Sequence, residues 1–153
     1  FVPEGETTMI CAFCHCCPSV EEVTHMLRSV GCHLQFSMDA CNPPSWASGG
    51  AIPAQYHYTG PSGVEVLFLA GRDSAGNRER LPPHQARFWI DGGPGPRSGE
   101  VQQRIVSLLH QYVSCWRDVQ TQEKLYYHSE TSRLERFPPR KKNTSKKEKR
   151  QAQ

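Results

Sequence analysis

The feature that most constrains this chain is a cysteine-rich run that joins an apolar segment to a helix. Residues 7–13 are β-branched and apolar, which predicts a short strand. Ser19 and Glu22 have the spacing of a capping box, the signature of a helix N-terminus. Apolar side chains then recur at helical spacing as far as Gly31. The run therefore places three thiols where a predicted strand meets a predicted helix: Cys14, Cys16 and Cys17.

The pattern that follows predicts an α+β fold. Residues 33–38 alternate like a strand, so the first part of the chain predicts a βαβ unit with two adjacent parallel strands. A Gly-Pro-Ser-Gly turn at 60–63 predicts a hairpin with strands on both sides. A periodic apolar stripe predicts a helix over 98–115, capped by Ser98. Another hairpin is predicted over 125–137.

We divide the chain into a domain, an extension and a tail. The expected domain covers 1–116 and contains an inserted loop at 71–97, within which residues 86–90 have a strand-like pattern. The C-terminal hairpin over 117–139 is the extension. Residues 140–153 have the composition of a basic, disordered tail.

The charge of the chain is concentrated in that tail. The formal net charge is +3, but the residues before the tail carry more acidic than basic side chains. A basic tail can neutralise phosphates and release counterions, and without aromatic side chains it would position RNA but not read its sequence. The tail is therefore either a solvated, disordered end or a segment that binds a polyanion. Seven side chains would make these contacts: Arg140, Lys141, Lys142, Lys146, Lys147, Lys149 and Arg150.

Three interpretations of the cysteine run remain open. Cys14 and Cys17 form a C-x-x-C at the start of a helix, where the macrodipole can lower a thiol pKa, and such a pair is typical of thiol–disulfide oxidoreductases. Cys11 with Cys14, or Cys14 with Cys17, could instead supply half of a zinc site, although no second C-x-x-C follows. The third interpretation, which we favour, is small thiols packed in a tight turn without chemistry.

The composition limits the compartment and the partners. Seven cysteines cannot all pair internally, and Cys16 beside Cys17 does not fit a secreted disulfide framework, so we expect a reducing, intracellular compartment. No apolar run approaches the ~20 residues of a transmembrane helix, so we expect no membrane partner. No residue pattern identifies a catalytic group, a cofactor site or a small-molecule substrate. The start at Phe1 is compatible with a removed mitochondrial presequence, and equally with a sequence that begins inside a longer chain.

Three segments together resemble the family of protein fifty-three of the mitochondrial large ribosomal subunit. Phe13-Cys14 precedes a helix that begins with Val20-Glu21 and ends in Leu27-Arg-Ser-Val30, as in that family. Residues 64–68 (Val-Glu-Val-Leu-Phe) are similar to the family's Val-Asp-Val-Leu-Phe strand, and the helix over 98–115 matches its late amphipathic helix. The resemblance implies a thioredoxin-like fold and a structural, non-catalytic role in a mitochondrial ribosome, with ribosomal RNA and neighbouring ribosomal proteins as partners. In a ribosome, the polyanion that the tail binds would be ribosomal RNA.

The segment 116–139 also has the outline of a degenerate WW domain. Trp116 and the pair Tyr126-Tyr127 have about the right spacing, and Phe137 stands where the second tryptophan is expected. A proline-binding groove needs a tyrosine and a tryptophan side by side. An adaptor that binds proline-rich peptides, or one stabilised by zinc, is therefore an alternative beside the oxidoreductase. We expect the aromatic side chains of this hairpin to pack on the body.

Overall fold

The computed structural model describes residues 8–39, 53–70 and 86–139, and these form an α+β fold. Their elements in chain order are β1 (Met9–Cys14), α1 (Val20–Arg28), β2 (His33–Met38), β3 (Ala54–Thr59), β4 (Glu65–Ala70), β5 (Arg87–Asp91), α2 (Ser98–Leu109), β6 (Val113–Asp118), β7 (Lys124–His128) and β8 (Arg133–Glu135). Short 3₁₀ turns cover Pro61–Gly63 and His110–Tyr112. The expected α+β class is thus confirmed, together with both hairpins. The basic tail lies outside the described residues.

The eight strands form one sheet in the order β2-β3-β4-β5-β1-β6-β7-β8. Every neighbouring pair is antiparallel. β5 and β6 run in the same direction with β1 between them, and α2 connects them. β1 and β2 also share a direction, but β5, β4 and β3 lie between them. The chain therefore contains two β-α-β units, and in each of them other strands separate the two parallel strands. This is the β-α-β-β-α-β arrangement with two additional strands, β3 and β4, between β2 and β5.

This strand order corrects the prediction that β1 and β2 are adjacent. The local sequence pattern specifies strand, helix and strand, but it does not specify how many strands the crossover passes. After β2 the chain returns through three successive antiparallel strands, β3, β4 and β5, and these lie between β2 and β1. Residues 87–91, which fall in the predicted insertion at 71–97, form β5 and lie in the interior of the sheet.

Both helices lie on one face of the sheet and bury a single core there. α1 contributes Val23 and Leu27, which are fully buried, as the helical spacing predicts. His25 on the same helix is exposed. α2 adds its own buried stripe against the large side chains of the central strands (Tyr56, Tyr58, Phe68, Phe88 and Ile90). Phe68 and Phe88 stack with ring centroids 4.8 Å apart.

α1 has the predicted N-terminus, and α2 does not. Ser19 caps α1, because its Oγ accepts a hydrogen bond from Glu22 N at 3.1 Å. Ser98 is the first residue of α2 and makes no capping bond; the N-cap is Arg97, in the left-handed conformation. The loop before α2 packs against the β3–β4 turn, where a Cβ on Gly93 would lie 2.6 Å from Gly63 O. Glycine is therefore required there by close backbone approach.

α2 also ends earlier than predicted, since residues 113–118 form β6. Cys14 pairs with Val113 and Phe13 with Cys115, so Ser114 is an extra residue in a β-bulge. The bulge turns both Val113 and Trp116 towards the core, although they are three residues apart. Apolar residues three positions apart, which predict one turn of a helix, therefore also occur in a strand that contains a bulge.

Candidate functional site

The cysteine run forms the turn from β1 into α1, and the structure brings the predicted thiols together there. Cys14 ends β1 and is 2% exposed. Its backbone N–H donates to Ala86 O at 3.0 Å, and the N–H of His15 donates to Tyr112 O at 2.9 Å. These two bonds tie the turn to β5 and to the residues that follow α2. Cys16 and Cys17 are partly buried beside it.

The electrostatics of this turn do not favour a thiolate. Burial, followed by the neighbouring thiols Cys16 and Cys17, raises the pKa of Cys14 to about 12. Burial is also the main reason that the pKa of Cys16 is raised. An oxidoreductase needs an exposed attacking thiol with a lowered pKa. The helix N-terminus is present, as predicted, but the pKa of Cys14 is raised and not lowered.

The pKa values of two further cysteines, Cys32 and Cys11, are also raised. Cys32 is fully buried directly before β2, close to Gly60, and burial raises its pKa to about 11. Burial also raises the pKa of Cys11 to about 11. Among the residues that the structure describes, no three His, Cys, Asp or Glu side chains come close enough to hold a metal ion.

The predicted WW-like segment continues the large sheet through β6, β7 and β8. Tyr127 packs on the core side, where its ring stacks on His110 at 4.0 Å, which fits the expectation that aromatic side chains pack on the body. Tyr126 lies on the other side, with Lys124 Nζ 5.3 Å from its ring centroid. Phe137 follows β8 and is 77% exposed.

A second surface, which the sequence analysis did not identify, lies on the sheet face opposite the helices. We call it the open face, because no described helix covers it. Directly opposite residues of an antiparallel pair share a face, so the register defines its rows. The first row crosses the sheet through Phe36, His57, Leu67, Trp89, Cys11, Arg117 and Lys124. The second row runs through Met38, Gln55, Leu69, Arg87, Phe13 and Cys115.

The open face is most exposed at its β2 edge. A register shift after Leu34 turns Phe36 and Met38 onto this face, where they are 53% and 47% exposed. Phe36 stacks on His57 with ring centroids 4.1 Å apart. Towards the centre, the Arg87 guanidinium lies 5.1 Å from the centroid of the Phe13 ring. The face thus combines apolar area, aromatic rings and cations.

The sequence contains the alternating pattern of this surface, but the pattern alone does not show which residues lie together on it. β3, β4 and β5 alternate between core residues and partly exposed residues, and the second set includes Leu67, Leu69 and Trp89. Several apolar residues at neighbouring outward positions indicate a candidate interaction surface. The rows themselves depend on the order of the strands, which the sequence did not reveal.

No helix of the described residues has both the length and the apolar character needed to span a membrane. Comparison of the chain with protein-family models, curated proteins and solved structures found no match.

Proposed function

We propose that this chain is a structural, non-catalytic protein of a ribonucleoprotein particle, namely the large subunit of a mitochondrial ribosome. In that role it binds ribosomal RNA and neighbouring ribosomal proteins. The observation that carries the proposal is the open face, a broad sheet surface of rings, apolar side chains and cations without a described helix over it. Exposed apolar area of this kind is typical of proteins that are built into larger assemblies.

The cysteine turn supports the same role. Cys14 is buried, and its raised pKa leaves almost no thiolate at neutral pH, so the residue suits packing better than nucleophilic attack. The predicted basic tail and the resemblance to the ribosomal family also support it. The proposal does not depend on a thioredoxin-like arrangement, which stays a prediction: the strand order differs from the adjacent parallel pair expected for it.

Sedimentation of the tagged full chain in a gradient of mitochondrial lysate tests the proposal. We expect the protein to migrate with the large ribosomal subunit at low salt. A double variant, Phe36→Ser with Met38→Ser, removes the most exposed apolar side chains of the open face and should move the protein towards the top of the gradient. Phe137→Ser removes an exposed ring elsewhere and serves as the matched control. A wild-type protein that stays at the top would refute the proposal.

A further inference from the structure

The two rows of the open face carry cations and no carboxylates. From β2 to β7 they contain Arg87, Arg117 and Lys124 but neither aspartate nor glutamate. The acidic side chains of this face lie outside the two rows. Glu65 and Asp91 occupy the neighbouring row, and Glu135 lies on β8 at the sheet edge. The two rows are therefore positive, although Glu65 and Asp91 lie directly beside them and the residues before the basic tail are net acidic.

Aromatic rings are interleaved with these cations. Trp89 lies at the centre of the sheet, directly opposite Leu67 on one side and Cys11 on the other. Phe36 forms a platform with His57 at the β2 edge. Arg87 lies over Phe13, which holds its guanidinium in place on the surface. Aromatic rings next to cations are the features with which proteins bind single-stranded nucleic acid.

The dimensions of the rows also fit such a ligand. Neighbouring strands lie about 4.8 Å apart, so a row across seven strands spans about 29 Å. That distance accommodates several nucleotides, within the range of about 4–16 nucleotides that single-strand sites cover. Duplex RNA keeps its bases stacked and paired, so its bases could not reach the rings.

We propose that the open face binds a single-stranded RNA segment. Arg87, Arg117 and Lys124 contact the backbone phosphates, and unpaired bases stack on Trp89 and Phe36. This inference rests on the proposed function for the choice of RNA as the partner, and it assigns that partner to a particular surface. The predicted basic tail would add a second, independent contact.

Fluorescence anisotropy of labelled RNA tests the proposal with the full chain. The probes are a single-stranded uridine oligonucleotide of about ten residues and a duplex of the same length. We expect the single strand to bind more tightly than the duplex, and the affinity to fall as salt rises from about 50 to about 200 mM. Equal affinity for both probes would show that charge alone is recognised, and would overturn the stacking on Trp89 and Phe36.

Variants on the two sides of the sheet locate the site. Arg117→Gln with Lys124→Gln should weaken binding and reduce the slope of log affinity against log salt by about 1.4, or about 0.7 for each lost phosphate contact. The matched control is Arg28→Gln with Arg104→Gln, two exposed cations on the helices. The control should bind like the wild type. All these proteins keep the basic tail. A difference in RNA affinity between the Arg117/Lys124 variant and the Arg28/Arg104 variant therefore measures the contribution of the open face.

Substitution of the central ring tests stacking separately. Trp89→Ala should weaken binding by about 5- to 150-fold, the range for the loss of one base–aromatic stack. Trp89→Phe keeps a ring and the packing, and should lose less. Circular dichroism establishes that each variant is folded. Wild-type affinity in the Arg117/Lys124 variant, or equal losses in the helix control, would refute the proposal.

The outcomes separate this inference from the proposed function. A chain that migrates with the ribosomal subunit but binds no single-stranded RNA would keep its structural role and assign the open face to a protein neighbour. A chain that binds RNA on this face but does not migrate with the subunit would keep the RNA site and lose the ribosomal role.

Discussion

At the scale of single residues, Cys14 illustrates how burial decides the chemistry of a thiol. Its pKa rises from 9.0 to about 12, so at pH 8 its thiolate fraction falls by about three orders of magnitude. We predict that iodoacetamide alkylates Cys14 in the folded protein about a thousand times more slowly than in the chain unfolded by urea. Peptide mapping by mass spectrometry measures both rates at the same residue.

The unfolded chain is the control for this prediction, because it carries the same neighbouring residues without the burial. Equal rates for Cys14 in the folded and unfolded chains would mean that the thiol is reactive. That result would restore the oxidoreductase alternative with Cys14 and Cys17. A slow rate would leave Cys14 as a packing residue.

His110 gives the molecule a dependence on pH. Its ring stacks on Tyr127, and Trp116 Nε1 donates a hydrogen bond to His110 Nδ1 at 3.2 Å. Burial lowers the pKa of His110 from its ordinary value of 6.5. The unfolded chain therefore binds more protons than the folded one as the pH falls below about 6.5, and the stability decreases.

We predict that His110→Gln reduces the fall in melting temperature between about pH 7.5 and about pH 5, since glutamine cannot be protonated there but can still accept from Trp116. Thermal unfolding followed by circular dichroism measures the fall. His25→Gln, on the exposed side of α1, is the control and should leave the fall unchanged. An undiminished fall in the His110 variant would contradict the prediction.

At the scale of elements, the cap of α1 is the clearest case in which the sequence specifies the structure. Ser19 Oγ accepts from Glu22 N, and the helix begins at the next residue, Val20. We predict that Ser19→Ala lowers the free energy of unfolding by about 0.5–2 kcal/mol. Ser19→Gly should lower it by only a few tenths of a kcal/mol. Urea unfolding measures both. Wild-type stability in the Ser19→Ala variant would show that the capping bond does not stabilise α1.

The elements that were predicted correctly are those whose signals are local. The turn at 60–63 specifies the β3–β4 hairpin, and the apolar spacing from Val20 to Val30 specifies α1. The end of α2 was predicted wrongly, because the bulge in β6 places Val113 and Trp116 on the same side at a helical spacing. Nothing within the segment itself distinguishes the bulged strand from a helix, since the bulge depends on pairing with distant β1.

The cysteine turn and the open face were less predictable than the fold, because burial and surface rows depend on contacts between distant parts of the chain. The thiols of the β1–α1 turn are close in the chain, so their proximity could be predicted, but their burial could not. The rows of the open face join residues from six or more strands. Arg117, Trp89 and Phe36 lie in one row of the same surface only through the order of the strands.

At the scale of the whole molecule, the sheet continues through the residues that the sequence assigned to an extension. β6 pairs with β1 on one side and with β7 on the other. The hairpin of β7 and β8 packs on the common core through Leu125, Tyr127 and Leu134. Leu134 N also donates to Gln103 Oε1 of α2 at 3.2 Å. We therefore expect the hairpin to contribute to the stability of the fold.

This expectation can be measured by shortening the chain at two places. A chain that ends after residue 118 loses three partly buried apolar side chains, each of which contributes on the order of 1 kcal/mol, and the stack of Tyr127 on His110, worth about 0.5–1.5 kcal/mol. We predict a loss of several kcal/mol in urea unfolding and a smaller m value. A chain that ends after residue 139 keeps every described residue and should unfold at the wild-type midpoint. If the chain that ends after 118 also kept that midpoint, residues 117–139 would be a separate extension, as their sequence suggests.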